Sequence, residues 1–397
     1  MMVTYKYRLY QSRRNRFLHE TATLTGRAYN HCLTLHKRYY QLFDKHLNQY
    51  DLMKHLTRLK QLPKYAWLAD IPSQALQDVV QRIEKAYELF FKSVRGEIGF
   101  KVRPPSFKKS SQYKSFTLKQ AGYKFLGGNR IKIGQRTYKF VADRPLAGPV
   151  KTVTLKRDKL GNFYLCVAQE VQTPEFKPTP GQMAGFDFGL KTFLTVHDGV
   201  ETYRIESPQF FKQALTKVRQ ANHRLTYKQH GSHNRSKAKC CLAKVHQQVA
   251  NRRQDWFFKL AHLLTDRYDV LFFEKLNLRG MQRMWGRKVS DLAFGTFLKI
   301  LEHVARKKGK LVHYIDRFYP SSKTCSHCGH IHKALKLSDR WWRCPGCAKV
   351  VDRDDNAAVN IYREGASSLG RAGVIPYSVW LPVLTPETHP LSGGSMS

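Results

Sequence analysis

Four of the eight cysteines fall in one window, Cys325, Cys328, Cys344 and Cys347, as Cys-x2-Cys, fifteen residues, Cys-x2-Cys. Two thiolates on one tight turn can share a tetrahedral Zn²⁺, and a second such turn completes the set. Gly329 and Gly346 beside the pairs suit those turns. Four sulfur ligands leave no position for water, so such a zinc is structural. Disulfides or incidental cysteines are the alternatives, and His327, His330 and His332 are substitutes within the ligand set. A reducing, intracellular compartment fits the cluster and the scattered Cys32, Cys166, Cys240 and Cys241. The second chemistry is carboxylate. Asp187 sits between glycines in Gly185-Phe186-Asp187-Phe188-Gly189, and Glu274 follows Leu271-Phe272-Phe273. An acid directly after three apolar residues is costly unless paired or bound to a cation. Asp352, Asp354 and Asp355 precede the small-residue run from Asn356 to Ile361. Three carboxylates gathered from distant parts of a chain are what two Mg²⁺ ions need for phosphodiester chemistry. The alternative is that each acid pairs with one of the 69 basic residues.

The elements that must position these groups alternate between helix and strand. Val3, Tyr5, Tyr7 and Leu9 alternate as a strand. Leu24, Ala28, Cys32, Leu35, Tyr39 and Leu42 have helical spacing, as do Leu76, Val79, Ile83, Tyr87, Phe90 and Val94 after a capping Ser73. Residues 101–150 hold 12 Lys and Arg, the single acid Asp143, and seven interleaved aromatics, a basic surface whose rings offer stacking platforms for unpaired bases. They read as short strands, followed by a hairpin turned at Leu160-Gly161-Asn162. The run Phe176 to Pro180 reads as a linker. Beyond it come a strand through Asp187, a solvated loop around Lys228–Lys239, a long helix through Leu242 to Leu263, and the strand ending at Glu274. A helix from Ser290 to about Lys308 and the strand Leu311–Asp316 complete an α/β core. Residues 366–397, rich in Ser, Gly and Pro, read as a mobile tail in which Val379-Trp380-Leu381 is a docking candidate.

Composition narrows the function. The 397 residues carry a formal charge of +40, a poor fit to a small-molecule enzyme and a good fit to a polyanion partner. Residues 207–254 contain 11 Lys and Arg and no acid, which marks a phosphate-binding surface. At 42% hydrophobic residues the chain can bury a core. No run of 18 apolar residues argues for a membrane span, and the first residues lack the apolar segment of a secretory signal.

Four runs then occur in a telling order: GFDFGLKTFLTVHDG, VLFFEKLNLRGM, DRFYPSSKTCSHCGH and CPGCAKVVDRDDNAAVNI. Together they resemble TnpB, the RNA-guided nuclease of bacterial insertion sequences and relative of miniature type V CRISPR effectors. The resemblance is strong over about 181–365 and weaker through RLYQSRRNRFL and RPPSFKKSSQYKSF in the N-terminal half. Phe258 stands where many members have His. The resemblance implies a multidomain α/β protein with an RNase H-like (RuvC) core over 181–320 and 350–365. A zinc ribbon over 321–349 is inserted into that core. A wedge β-barrel over 1–10 and 100–180 is interrupted by a helical recognition module over 11–99. It implies Asp187, Glu274 and Asp354 as the catalytic Mg²⁺ ligands, with Asp355 the rival for the third place and Asp352 an orienting acid. It further implies a guide RNA from the element's end, double-stranded target DNA read beside a short motif, hydrolysis at one site by two Mg²⁺, and a bacterial cytoplasmic location. The alternatives are a transposase that joins strands and a nucleic-acid-binding regulator that does not cut.

Overall fold

The structure, a computed structural model, describes residues 1–371 apart from 147, 178, 180, 181 and 337, and only part of the side chains between 278 and 288. The chain forms two compact units, divided between Gln172 and Thr173.

In the first unit β1 (Met2–Arg8) leads into three helices, α1 (Asn15–Phe43), α2 (Gln49–Leu59) and α3 (Ser73–Val94). Six strands follow: β2 (Ser115–Leu118), β3 (Tyr123–Gly127), β4 (Arg130–Ile133), β5 (Arg136–Lys139), β6 (Val150–Arg157) and β7 (Phe163–Glu170). They form a four-stranded sheet, β1-β7-β6-β2, and a three-stranded sheet, β3-β4-β5. An isolated bridge between Leu9 and Phe140 links the two. The alternation at the start of the chain becomes pairing of β1 with β7, with Val3, Tyr5 and Tyr7 buried. The β6–β7 turn is held by Asp158, whose Oδ1 accepts the amides of Leu160 and Asn162, and Gly161 takes φ +84°. Helix α3 is tied to β2 by Asp78, which accepts the Thr117 amide at 3.1 Å, and by Arg82, which donates to the Ser115 carbonyl at 3.0 Å. Ser73 begins that helix rather than capping it; Pro72 holds the cap position, and no side chain caps there.

The second unit is built on one sheet. Its strands are β8 (Met183–Phe188), β9 (Thr192–His197), β10 (Thr202–Glu206), β11 (Val270–Glu274) and β12 (Leu311–Ile315), in the order β10-β9-β8-β11-β12. β8 to β10 form an antiparallel meander, while β11 runs parallel to both β8 and β12. Between β10 and β11 lie α4 (Phe210–Thr226) and α5 (His233–Arg267); between β11 and β12 lie α6 (Leu278–Leu292) and α7 (Phe294–Lys307). A small two-stranded ribbon, β13 (Trp341–Arg343) and β14 (Val350–Asp352), leads into α8 (Arg353–Arg371).

The period-two alternation of the strands sorts the sheet's two faces. Ala184, Phe186, Phe188, Leu271 and Phe273 pack with Phe257, Leu264, Phe297 and Leu301 of α5 and α7. Met183, Val270 and Phe272 pack on the other face with Ile361, Tyr362 and Ala366 of α8. Asp187 and Glu274 share the parity of this second set, so both belong to the α8 side. The approach of α8 depends on Gly185. A Cβ there would lie 2.5 Å from the Tyr362 nitrogen and 2.6 Å from the Ala358 carbonyl oxygen.

Three boundaries differ from the sequence reading. The basic loop is shorter, because Ser232 caps α5 by accepting the Arg235 amide, so residues 233–239 are helical. Ser290 lies inside α6, and the next helix begins only after Ala293, which breaks the chain direction at φ +48°. The expected tail is helical to Arg371, because Ala366 and Leu369 bury their side chains. Val379-Trp380-Leu381 lies outside the described residues. Among those residues, no helix is long and apolar enough to cross a membrane.

Candidate nuclease centre and cysteine cluster

The parallel register of β8 and β11 pairs Phe186 with Phe273, so the next residues along, Asp187 and Glu274, stand side by side at the strands' C-terminal ends. That end of a parallel pair is where open α/β sheets place their sites. The third acid comes from the first turn of α8. Asp352 caps this helix: its Oδ1 accepts the amides of Asp354 at 2.9 Å and Asp355 at 3.1 Å. The cap and its partners separate three acids that are nearly adjacent in sequence. Arg204 of β10 bridges Asp352 and Asp355, at 3.0 and 2.8 Å. Asp354 has no part in that bridge, and the Asp187 carboxyl feels its charge.

The electrostatics are those of anions crowded together. Burial, then the charges of Asp354 and Glu274, push the Asp187 carboxyl well above the usual carboxylate range, against a smaller opposing effect of Arg353. Asp187 nevertheless keeps part of its surface open. Glu274 is raised too, by burial, with the Ser321 hydroxyl 3.5 Å from its Oε2. Asp354 is paired: Arg340 Nη1 lies 2.8 and 3.1 Å from its two oxygens, and Arg353 lies at 3.3 Å. A set of hard oxygen donors, with Asp187 and Glu274 only partly covered, fits a divalent cation.

The four cysteines converge. Cys325 and Cys347 Sγ are 3.7 Å apart, Cys328 and Cys344 Sγ are 3.5 Å apart, and all four lie within 4.8 Å of one another. The two turns repeat one hydrogen-bond pattern. Cys325 exchanges backbone bonds with Gly329 and His330, and Cys344 does the same with Ala348 and Lys349. Soft donors in a closed set of four fit one structural zinc. Two of the three neighbouring histidines are engaged elsewhere: His327 Nδ1 meets Lys349 Nζ at 3.3 Å, and His332 packs against Trp342. Cys240 and Cys241 are exposed on α5.

Residues missed in the sequence join the ribbon to the acids. Asn356 and Asn360, both 3% exposed, donate from Nδ2 to the carbonyls of Ser321 and Thr324. Asn356 Oδ1 also accepts the Ser326 amide at 2.8 Å. The four-residue spacing of these asparagines, which puts them on one helix face, was the available signal. Ser321 and Arg340 carried none, since their partners lie 47 and 14 residues along the chain, outside any local spacing rule.

The two basic stretches resolve differently. The basic residues of α4, α5 and their joining turn are mostly exposed. The exceptions are Arg235, which donates to the Leu225 and Lys228 carbonyls, and Arg253, which pairs with Asp291 at 2.9 Å. In 101–150 the aromatics are largely structural. Tyr113, Phe116, Tyr138 and Phe140 are core residues, because they fall on the inward side of their strands and loops. Phe107 alone of the seven is exposed, so the expectation of a row of stacking platforms is corrected.

Known proteins share this architecture. The family model for the Cas12f1-like TNB domain matches residues 294–361, and the model described as "Probable transposase" matches residues 164–284. A Streptomyces pristinaespiralis protein named "Putative RNA-guided DNA endonuclease" is 30% identical over 81% of this chain and 79% of its own length. The Escherichia coli (strain K12) protein named "Putative RNA-guided DNA endonuclease InsQ" is 24% identical over 86% of this chain and 87% of its own. The structure of a Cas12f1-sgRNA-target DNA complex aligns with a TM-score of 0.56 at 14% identity, covering 89% of this chain and 83% of that one. With a relative of that identity spanning four fifths of both chains, and with the ordered acids and cysteines on one sheet and its ribbon, the chain belongs to the TnpB family of RNA-guided DNA endonucleases.

Proposed function

We propose that this protein cuts double-stranded DNA under the direction of a guide RNA derived from the end of its insertion sequence, at a single RuvC-like centre. The observation that carries the reading is the meeting of Asp187, Glu274 and Asp354, from two neighbouring strands and a helix, at one edge of one sheet. An antiparallel meander extended by two parallel strands, with α8 on the acid-bearing face, supports an RNase H-like core over 181–320 and 350–365. The cysteine ribbon over 321–349 is its zinc-bearing insertion. The two sheets of the first unit support a wedge barrel over 1–10 and 100–180, with the helices within 11–99 as the recognition module.

Asp187, Glu274 and Asp354 would hold Mg²⁺, which supplies water activation and charge stabilisation at the scissile phosphate. The chain's own residues set the stage for that chemistry. Register fixes Asp187 beside Glu274, the Asp352 cap fixes the first turn of α8, and Ser321 approaches Glu274 from the ribbon. Arg340 occupies Asp354 and limits the repulsion among the acids. The exposed cations of α4 and α5 would take phosphates of RNA or DNA by counterion release. Base pairing with the guide would read the target, as in other RNA-guided nucleases.

The test is cleavage of a plasmid target by protein loaded with the RNA of its own element end. Asp187→Ala and Glu274→Ala should each lower cutting by at least about a thousandfold, a loss on the scale of removing a principal charge-stabilising group, while RNA binding persists. EDTA should abolish cutting by the unaltered protein. Cutting that survives the Asp187 substitution or EDTA would overturn the reading, and joined rather than hydrolysed strands would establish a transposase instead.

A further inference from the structure

A third cluster with ligand chemistry lies in the helices of the first unit. α1 supplies His36, the connection between α1 and α2 supplies His46, and α3 supplies Glu84. One donor atom from each lies within 4.8 Å of the other two. His46 Nε2 is 3.0 and 3.1 Å from the two Glu84 oxygens. His36 is 4% exposed, and its Nε2 has no hydrogen-bond partner among the described residues. A buried ring nitrogen left unpaired beside a histidine–carboxylate pair is an incomplete set of interactions, because buried polar groups are ordinarily satisfied.

The surroundings sharpen the point. Tyr87 stacks on His36 at 5.2 Å and meets His46 edge-on at 6.2 Å, which fixes both rings. Beside them lies a cavity of about 340 Å³ bordered by Lys37, Tyr40, Phe90 and Phe91. Half-buried His31 also has an unpaired Nε2, but its ring neighbours are His55 and Tyr65, and it belongs to no ligand cluster among the described residues. Among the described residues, only His36 combines an unpaired nitrogen with an acid and a second imidazole. Two imidazoles and a carboxylate suit a borderline transition ion and disfavour Mg²⁺, which prefers oxygen donors.

We propose that His36, His46 and Glu84 form a second zinc site, which ties the α1–α2 connection to α3 and leaves a fourth position for water or an added ligand. This site is independent of the cysteine cluster and of the nuclease reading. Its role is to fix the approach between two helices that otherwise meet at an exposed aromatic cavity.

The experiment is metal analysis of the purified full-length chain after equilibration with ZnCl₂ and dialysis against metal-free buffer. The expected result is two zinc ions per chain. His36 is in the core, so the partly exposed partners are substituted: His46→Ala and Glu84→Gln should each reduce the content to one. Asp187→Asn, which removes a nuclease ligand, should leave it at two. Co²⁺ in place of zinc should give thiolate charge-transfer bands from the cysteines in every variant. The weaker band of a nitrogen- and oxygen-ligated ion should disappear in His46→Ala. One zinc in the unaltered chain, two that persist in both variants, or iron in place of the second zinc would each overturn the assignment.

Discussion

The cysteine cluster and the carboxylate centre solve opposite problems. The cysteines are local: two turns of one design, with the first and last cysteine 22 positions apart, close around a point and need only their own backbone. The carboxylates come from Asp187, Glu274 and Asp354, and the arginines beside them, Arg340 and Arg353, offset only part of the cost of gathering them in the absence of a cation. Their convergence is imposed by the parallel register, by the missing side chain of Gly185 and by the α8 cap. The comparison teaches that the ribbon is stabilised by its own site, whereas the sheet holds the nuclease site together against its own electrostatics.

The largest expected effect comes from breaking the local site. Cys344→Ser should remove the ribbon's zinc and unfold residues 321–349, since structural zinc supplies the folding free energy of such small modules. Because Ser321 and Arg340 reach the acids from this segment, guided cutting should fall by at least about a hundredfold, the upper range for loss of outer-shell support to a metal site. Zinc analysis, limited proteolysis and the plasmid assay read the three consequences. Zinc lost with cutting unchanged would show that the ribbon does not support the acids.

The same contrast governs what the sequence disclosed. Cys-x2-Cys spacing is a complete local description, and the four sulfurs meet as that spacing implies. Asp187 and Glu274 were legible as acids at apolar strand ends, but their adjacency is a matter of register, which no local pattern carries. What separates Asp354 from its neighbour Asp355 is Arg204, which sits about 150 residues away and pairs with Asp355. The aromatics of 101–150 were misread because basic, aromatic sequence looks alike whether its rings face a core or a nucleic acid. The break at Ala293 had no turn residue to announce it.

A milder change probes the joint between the two sites. Asn360→Ala removes two buried hydrogen bonds, at 2.7 and 2.6 Å, to the Ser321 and Thr324 carbonyls. Asn356 still donates to both carbonyls, so the cost is that of two hydrogen bonds, about 1–3 kcal/mol, and the second unit should melt about 2–12 °C lower by the usual scaling for a domain of this size. Zinc should stay bound. If cutting also falls, the ribbon's seat on α8 positions Ser321 for Glu274. If only the melting temperature moves, the joint is structural and the two sites are more separate than the comparison holds.

The smallest effect has the most unusual sign. Burial and two neighbouring carboxylates hold the Asp187 carboxyl above its ordinary range, and burial does the same to Glu274. The folded chain without cations therefore keeps protons that the unfolded chain releases. Its stability must decline as pH rises from the ordinary carboxylate range through those raised values. Asp187→Asn removes one charge from the crowd, so in EDTA at pH 8 the variant should melt higher than the unaltered protein. A gain of about 2–4 °C corresponds to roughly 1 kcal/mol in a domain of this size, modest because the group keeps some solvent contact. The gap should shrink as the pH is lowered toward the ordinary carboxylate range, because the native carboxyl then takes up its proton. It should shrink again when Mg²⁺ is added at pH 8, because the cation then neutralises what the substitution removed. A variant that melts lower than the parent at pH 8 in EDTA would mean that Asp187 is held by favourable contacts, and that the nuclease centre, like the cysteine cluster, stabilises the fold around it.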